Sequence, residues 1–151
     1  DILTTNQRFN PPLKNNIRDD YLYLVQRFFK KEGDWVEKGV VLHLTEGEQE
    51  KLRLLVSSLP SKYCILVSPG SAWPNKQVPP ETLVSILKNI EKKQPTYFLF
   101  TWGTQEENQL SNALCAHFSS NGTVLEKLSL PLLQNLMSHV DLVVAMDSLP
   151  L

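Results

Sequence analysis

The sequence predicts an α/β domain, a parallel sheet with helices on both faces. Three observations carry that prediction. From Lys62 onward, short apolar runs alternate with amphipathic stretches in the order strand, helix, strand, helix, strand, helix, strand. The first run, Tyr63 to Val67 ("YCILV"), is continuously apolar, as suits a strand covered on both faces. Third, the runs end in Ser68-Pro69-Gly70-Ser71, Thr101-Trp102-Gly103-Thr104 and Met146-Asp147-Ser148, each with Ser or Thr and two with Gly. In open parallel sheets, ligands sit beyond the carboxyl ends of the strands, where these residues fall.

Each element has its own justification. Residues 1–20 are polar and turn-rich, with Asn6, Asn10, Pro11, Pro12, Asn15 and Asn16, and read as irregular. Asp19 and Asp20 are placed to cap a helix from Tyr21 to about Lys31. Leu22, Val25, Phe28 and Phe29 lie in it at helical spacing, and Gly33 ends it. Val40 to Leu44 has the composition of a short strand. Thr45 followed by Glu48 is a capping-box pattern, opening a helix through about Leu59 with Leu52, Leu55, Val56 and Leu59 as its inner stripe. After the first strand, Pro79 and Pro80 start a helix to about Lys93, with Leu83, Ile86, Leu87 and Ile90 repeating at three and four. Thr96 to Thr101 ("TYFLFT") is the second strand and Gln105 to about Phe118 the second helix of this series. Thr123 to Lys127 is the third strand. Ser129 heads a short helix with Leu132, Leu133, Leu136 and Met137 apolar, and Asp141 to Ala145 ("DLVVA") is the last strand.

Composition bounds the function. The chain has 151 residues, 42% of them apolar, enough for a sizeable core. Fifteen Lys plus Arg against sixteen Asp plus Glu leave a net charge of −1. That balance argues against nucleic-acid binding by bulk charge and against a polybasic membrane-surface module. No apolar stretch approaches the roughly 18–20 residues of a membrane span. Cys64 and Cys115 read as buried, reduced thiols, and His43, His117 and His139 lack the partners of a zinc site. The chain opens on Asp1 without a leader and closes on Asp147-Ser148-Leu149-Pro150-Leu151, directly after an apolar run, so it reads as a piece of a longer protein.

Three segments can carry chemistry. In "SPGSAWPNKQVPPE", residues 68–81, Gly70 permits a tight turn or a close backbone approach, Ser71 offers a hydroxyl and Lys76 is the single cation. Such a loop entering a helix suits an anion, since free N–H groups and the helix dipole point at it; a solvated lysine in a Pro-rich connection is the simpler reading. Neither GxxxxGK[ST] nor GxGxxG occurs. In "TWGTQEEN", residues 101–108, Thr104 can cap the next helix. Glu106 and Glu107 then either complement its positive end or turn one carboxylate toward a ligand hydroxyl or amine. In "VVAMDSLP", residues 143–150, Asp147 and Ser148 suit a ribose, a phosphate-bound metal or a helix cap. A Ser/His/Asp triad is unsupported, because Ser148 lies on no GxSxG elbow.

In this order and spacing the segments resemble the C-terminal nucleotide-sugar-binding domain of family 9 glycosyltransferases, the ADP-heptose:lipopolysaccharide heptosyltransferases. That pattern runs roughly PGSxWxxKxWPxE, then a strand ending in WG with Glu in the next turn, then DLVVxxDSGPxH. Here stand "PGSAWPNKQVPPE", "FTWGTQEEN" and "DLVVAMDSLPL". The likeness covers about residues 60–151 and before them only "IRDDYLYLVQRF". It implies a GT-B architecture of two Rossmann-like domains. Residues 1–59 would be the end of the N-terminal domain and the interdomain linker region, and 60–151 part of the donor-binding domain.

The resemblance also implies an activity. An ADP-sugar, ADP-heptose or similar, would donate its sugar with inversion to a lipopolysaccharide or lipid-linked saccharide, in the cytoplasm or at the cytoplasmic face of the inner membrane. No cofactor would be tightly bound, and whether Mg2+ accompanies the donor stays open. Ser71 and Lys76 would hold the donor phosphates, with Lys76 offsetting charge on the leaving ADP. Glu107, or its neighbour Glu106, would contact the nucleoside, and Asp147 and Ser148 would lie beside the phosphates and sugar. The catalytic base would be an Asp of the first domain, so this stretch alone is expected to be inactive. Leu149 stands in place of the usual Gly and Val78 in place of the Trp of KxWP. These departures motivate an alternative, a non-catalytic relative that keeps the fold without donor chemistry. A receiver-type domain is disfavoured, since Ser68-Pro69-Gly70 lacks the paired acids it needs after its first strand.

Overall fold

The computed structural model describes residues 17–30 and 41–146, which fall in two compact units, 1–40 and 41–151. In the first unit, helix α1 spans Ile17–Phe29. It begins before Asp19 and Asp20, which therefore lie inside it rather than at its cap. It ends at Lys30, whose φ of 52° is left-handed, so the turn comes ahead of Gly33. A side chain there costs about 1–2 kcal/mol relative to glycine. Gly33 and the Asn- and Pro-rich start lie outside the described residues.

The second unit is a four-stranded, fully parallel sheet ordered β3-β2-β1-β4, with β1 Tyr63–Ser68, β2 Thr96–Phe100, β3 Gly122–Val124 and β4 Leu142–Ala145. Alternation of side chains along β1 splits the core between two faces. Ile65 and Val67 point to one face with Phe98 and Phe100, and there meet Leu83 and Leu87 of α3 (Pro80–Glu91), Leu114 of α4 (Gln105–Cys115) and Phe118. Phe98 and Phe118 meet with ring centroids 4.7 Å apart and planes tilted by 53°. Leu66 and Leu99 point to the other face, against Leu136 of α5 (Leu130–Met137) and Leu52, Leu55 and Val56 of α2 (Glu46–Ser57). The strand predicted to be buried on both faces is so: Ile65, Leu66 and Val67 are all fully buried. α2 packs on the sheet and so belongs to this unit.

Helix ends follow their local chemistry. Thr45 and Glu48 close the expected capping box on α2, and Ser129 caps α5. The Glu48 carboxylate also accepts the Ser129 hydroxyl, tying the two starts together. Three expectations need correction. Residues 41–45 form no strand; the Leu42 N–H donates to Gln134 Oε1 (2.7 Å) and its carbonyl accepts from Asn135 Nδ2 (3.0 Å), so side-chain amides of α5 replace a neighbouring strand. β3 stops at Val124 instead of Lys127. Ile86, counted in the inner stripe of α3, is 45% exposed: the cluster on the sheet takes Leu83 and Leu87, with Val84 and Ile90 packed at its edge, and leaves Ile86 out.

Candidate functional site

The strand order reverses at β1: β2 and β3 lie to one side of it, and β4 to the other. In an open α/β sheet ligands usually lie near such a point, beyond the carboxyl ends of the strands. A cavity of about 330 Å³ lies beyond the carboxyl ends of β1 and β2, lined by Ser68, Gly70, Ser71, Ala72, Thr101, Trp102, Gly103, Glu107, Leu128, Leu130 and Leu133. The lining combines leucine and indole with serine, threonine and a carboxylate.

Glu107 links the two loops. As the third residue of α4 it completes a capping box with Thr104: its N–H donates to Thr104 Oγ1 (3.3 Å), while its Oε2 accepts from the N–H groups of Gly103 (2.7 Å) and Thr104 (3.2 Å). Its Oε1 lies against Gly70, in the loop after β1. Glu106, the neighbouring candidate, is exposed and outside the cavity lining. Hydrogen bonds from its own backbone N–H and then from Thr104 hold its pKa below the ordinary carboxylate value.

Ser71 is buried. Its Oγ accepts from the Trp73 N–H (3.3 Å) and its carbonyl from Gln77 Nε2 (2.8 Å), folding the loop back on itself. Lys76 ends a short 3-10 turn, Pro74–Lys76, exposed and outside the cavity lining. Val78, where the family pattern has Trp, packs against the core, and its N–H donates to Met146 Sδ (3.4 Å) at the end of β4. The structure therefore brings Ser71 and Glu107 together around one cavity and sets Lys76 on its own turn. Asp147, Ser148 and Leu149 lie outside the described residues.

Sequence reasoning missed the apolar lining. Trp102 was visible only as part of the WG pattern; its Nε1 donates to the Leu125 carbonyl (2.8 Å), which fixes the indole at the cavity. Leu128 and Leu130 flank Ser129 and lie there because β3 ends early. The cue was the leucine density of "LEKLSLPLL", which periodicity assigns to a helix stripe. Both cysteines are free thiols. Burial, aided by the Asp141 charge, raises the Cys64 pKa, and burial alone raises that of Cys115, so neither is an activated nucleophile. Among the described residues no three His, Cys, Asp or Glu side chains gather as a metal site, and no helix is long and apolar enough to cross a membrane.

A family profile described as glycosyltransferase family 9 (heptosyltransferase) matches residues 1–151. The chain belongs to glycosyltransferase family 9. No curated protein matches this family 9 chain in sequence. Among solved structures it resembles the E. coli heptosyltransferase WaaC with ADP-2-deoxy-2-fluoro heptose, at 16% identity and a TM-score of 0.62. It also resembles WaaC with ADP, at 14% identity and a TM-score of 0.65. Each match covers 97% of this chain and 44% of WaaC, so the family 9 chain spans less than half the length of that neighbour. At these identities the likeness is one of fold, and it agrees with the parallel α/β architecture expected from the sequence.

Proposed function

We propose that this chain supplies the donor-binding half of a GT-B glycosyltransferase that transfers a heptosyl or related sugar from an ADP-sugar to a saccharide acceptor. One observation carries the reading. The lining of the cavity beyond β1 and β2 combines Trp102, Leu128, Leu130 and Leu133 with Ser71 and Glu107. A planar base fits the apolar lining, and the hydroxyl and amino groups of a nucleoside suit the polar side chains. The volume, about 330 Å³, is at the lower end of ligand pockets, roughly 300–1,000 Å³, and suits a nucleoside with its phosphates and sugar extending outward. ADP and an ADP-heptose analogue in the WaaC structures support the same donor class.

The phosphates and sugar would lie toward the end of β4, where Met146 meets the Val78 N–H of the Lys76 loop; Asp147 and Ser148 come next in the sequence. In an inverting transfer a base removes the acceptor hydroxyl proton, that oxygen attacks the anomeric carbon, and the bond to the diphosphate breaks. Lys76 would offset the negative charge gathering on ADP as that bond lengthens. The base belongs to the partner domain of the two-domain architecture, and a lipopolysaccharide-type acceptor at the cytoplasmic face of the inner membrane fits the family.

Calorimetry of the chain with ADP and with ADP-heptose tests this reading. Both are expected to bind, and Lys76→Ala and Glu107→Ala each to weaken binding about 10-fold or more, the usual scale for a lost charge-assisted hydrogen bond. Neither heat nor a melting shift with either nucleotide would favour a relative that keeps the fold without donor binding.

A further inference from the structure

We infer that Gly70 is a positioning residue: its missing side chain is the slot that holds the Glu107 carboxylate over the cavity. A Cβ at position 70 would stand 2.5 Å from Glu107 Cγ and closer still to Cδ and Oε1. Real Cβ atoms do not approach other heavy atoms this closely. Yet no glycine among the described residues has a positive φ, so the backbone of Gly70 is open to any L-residue. Glycine is required here for space and not for conformation. Gly103 belongs to the same device, since a Cβ there would sit 3.2 Å from Glu107 Oε2. Gly47, by contrast, has nothing within 4 Å of its Cβ position.

The slot and the capping box divide the carboxylate between them. Oε2 is held by the Gly103 and Thr104 N–H groups, and Oε1 is left facing Gly70 beside the cavity. Glu107 is half-buried and its side chain is flexible, so a methyl group at position 70 displaces the carboxylate more readily than it unfolds the sheet. Displacement removes the carboxylate from both amides. It also fills the space that a ligand hydroxyl would use to reach Oε1, a consequence that rests on the donor-binding reading above. Gly70 thus sets where the acceptor oxygen is, although it offers no group to a ligand itself.

The test combines an amide readout with a double-mutant cycle in ADP binding. Gly70→Ala is expected to move the Gly103 and Thr104 amide proton resonances as Glu107→Ala does. It should also weaken ADP binding at least about 5-fold with the fold retained, within the range for a lost hydrogen bond. In the Glu107→Ala background the slot is empty, so adding Gly70→Ala should change neither the ADP affinity nor the melting temperature further. Unmoved amides in Gly70→Ala, additive losses in the double variant, or full ADP affinity with displaced amides would each overturn the proposal. If the amides move while the unsubstituted chain binds no ADP, the donor reading fails and the positioning of Glu107 stands.

Discussion

Glu107 belongs to two systems at once, a helix start and a ligand cavity, and Thr104 is where they can be separated. Thr104→Val removes the hydroxyl that accepts the Glu107 N–H, and should cost about 1 kcal/mol in urea unfolding, with Thr104→Ser recovering most of it. Glu48 allows a prediction in pH. Hydrogen bonds from the Ser129 hydroxyl, then from the Thr45 backbone and side chain, lower its pKa below the ordinary 4.5. A carboxylate whose pKa is depressed by folding contributes its stability above its unfolded pKa, and that contribution is lost as pH falls through the folded value. Melting temperature should therefore drop below about pH 4.5, and Glu48→Gln should flatten that part of the profile. At this scale the sequence was legible where chemistry is local. Thr45 with Glu48 and Thr104 with Glu107 lie three residues apart, so helix geometry alone brings them together. Gly70 and Glu107 are thirty-seven positions apart, and only the parallel pairing of β1 with β2 puts their loops side by side.

Element by element, periodicity located helices and strands but not their edges. In α3 the sequence ranks Leu83, Ile86, Leu87 and Ile90 alike; the sheet buries Leu83 and Leu87 fully and leaves Ile86 largely outside. Leu87→Ala should accordingly cost about 2–5 kcal/mol, while Ile86→Ala should fall within about 1 kcal/mol, both read from denaturant midpoints. Val41 to Leu44 shows the converse error. Its composition suits a strand, but it pairs with none of the described strands, and the amides of Gln134 and Asn135 meet the Leu42 backbone instead. β3 stops short of the expected Lys127: Trp102 takes the Leu125 carbonyl, and Leu128 and Leu130 go on to line the cavity.

For the whole molecule, ligand binding and stability are linked. ADP at about 100 times its dissociation constant should stabilise the chain by about 2.7 kcal/mol, raising the melting temperature by about 5–10 °C; the rise should shrink in Glu107→Ala. An unchanged melting temperature at that excess would count against a nucleotide site. By itself the sequence determined the α/β class, the order of strands and helices from residue 63 on, the Thr45–Glu48 capping box, the Thr104 cap and the loops that mark the family, because each depends on neighbours within a few positions. Tertiary structure alone decided the strand order with its reversal at β1, the cavity that Glu107 lines with Ser71, and the spatial need for glycine at position 70. Those features depend on contacts between strand ends far apart in the chain, and the periodicity of a single chain carries no record of which ends will meet.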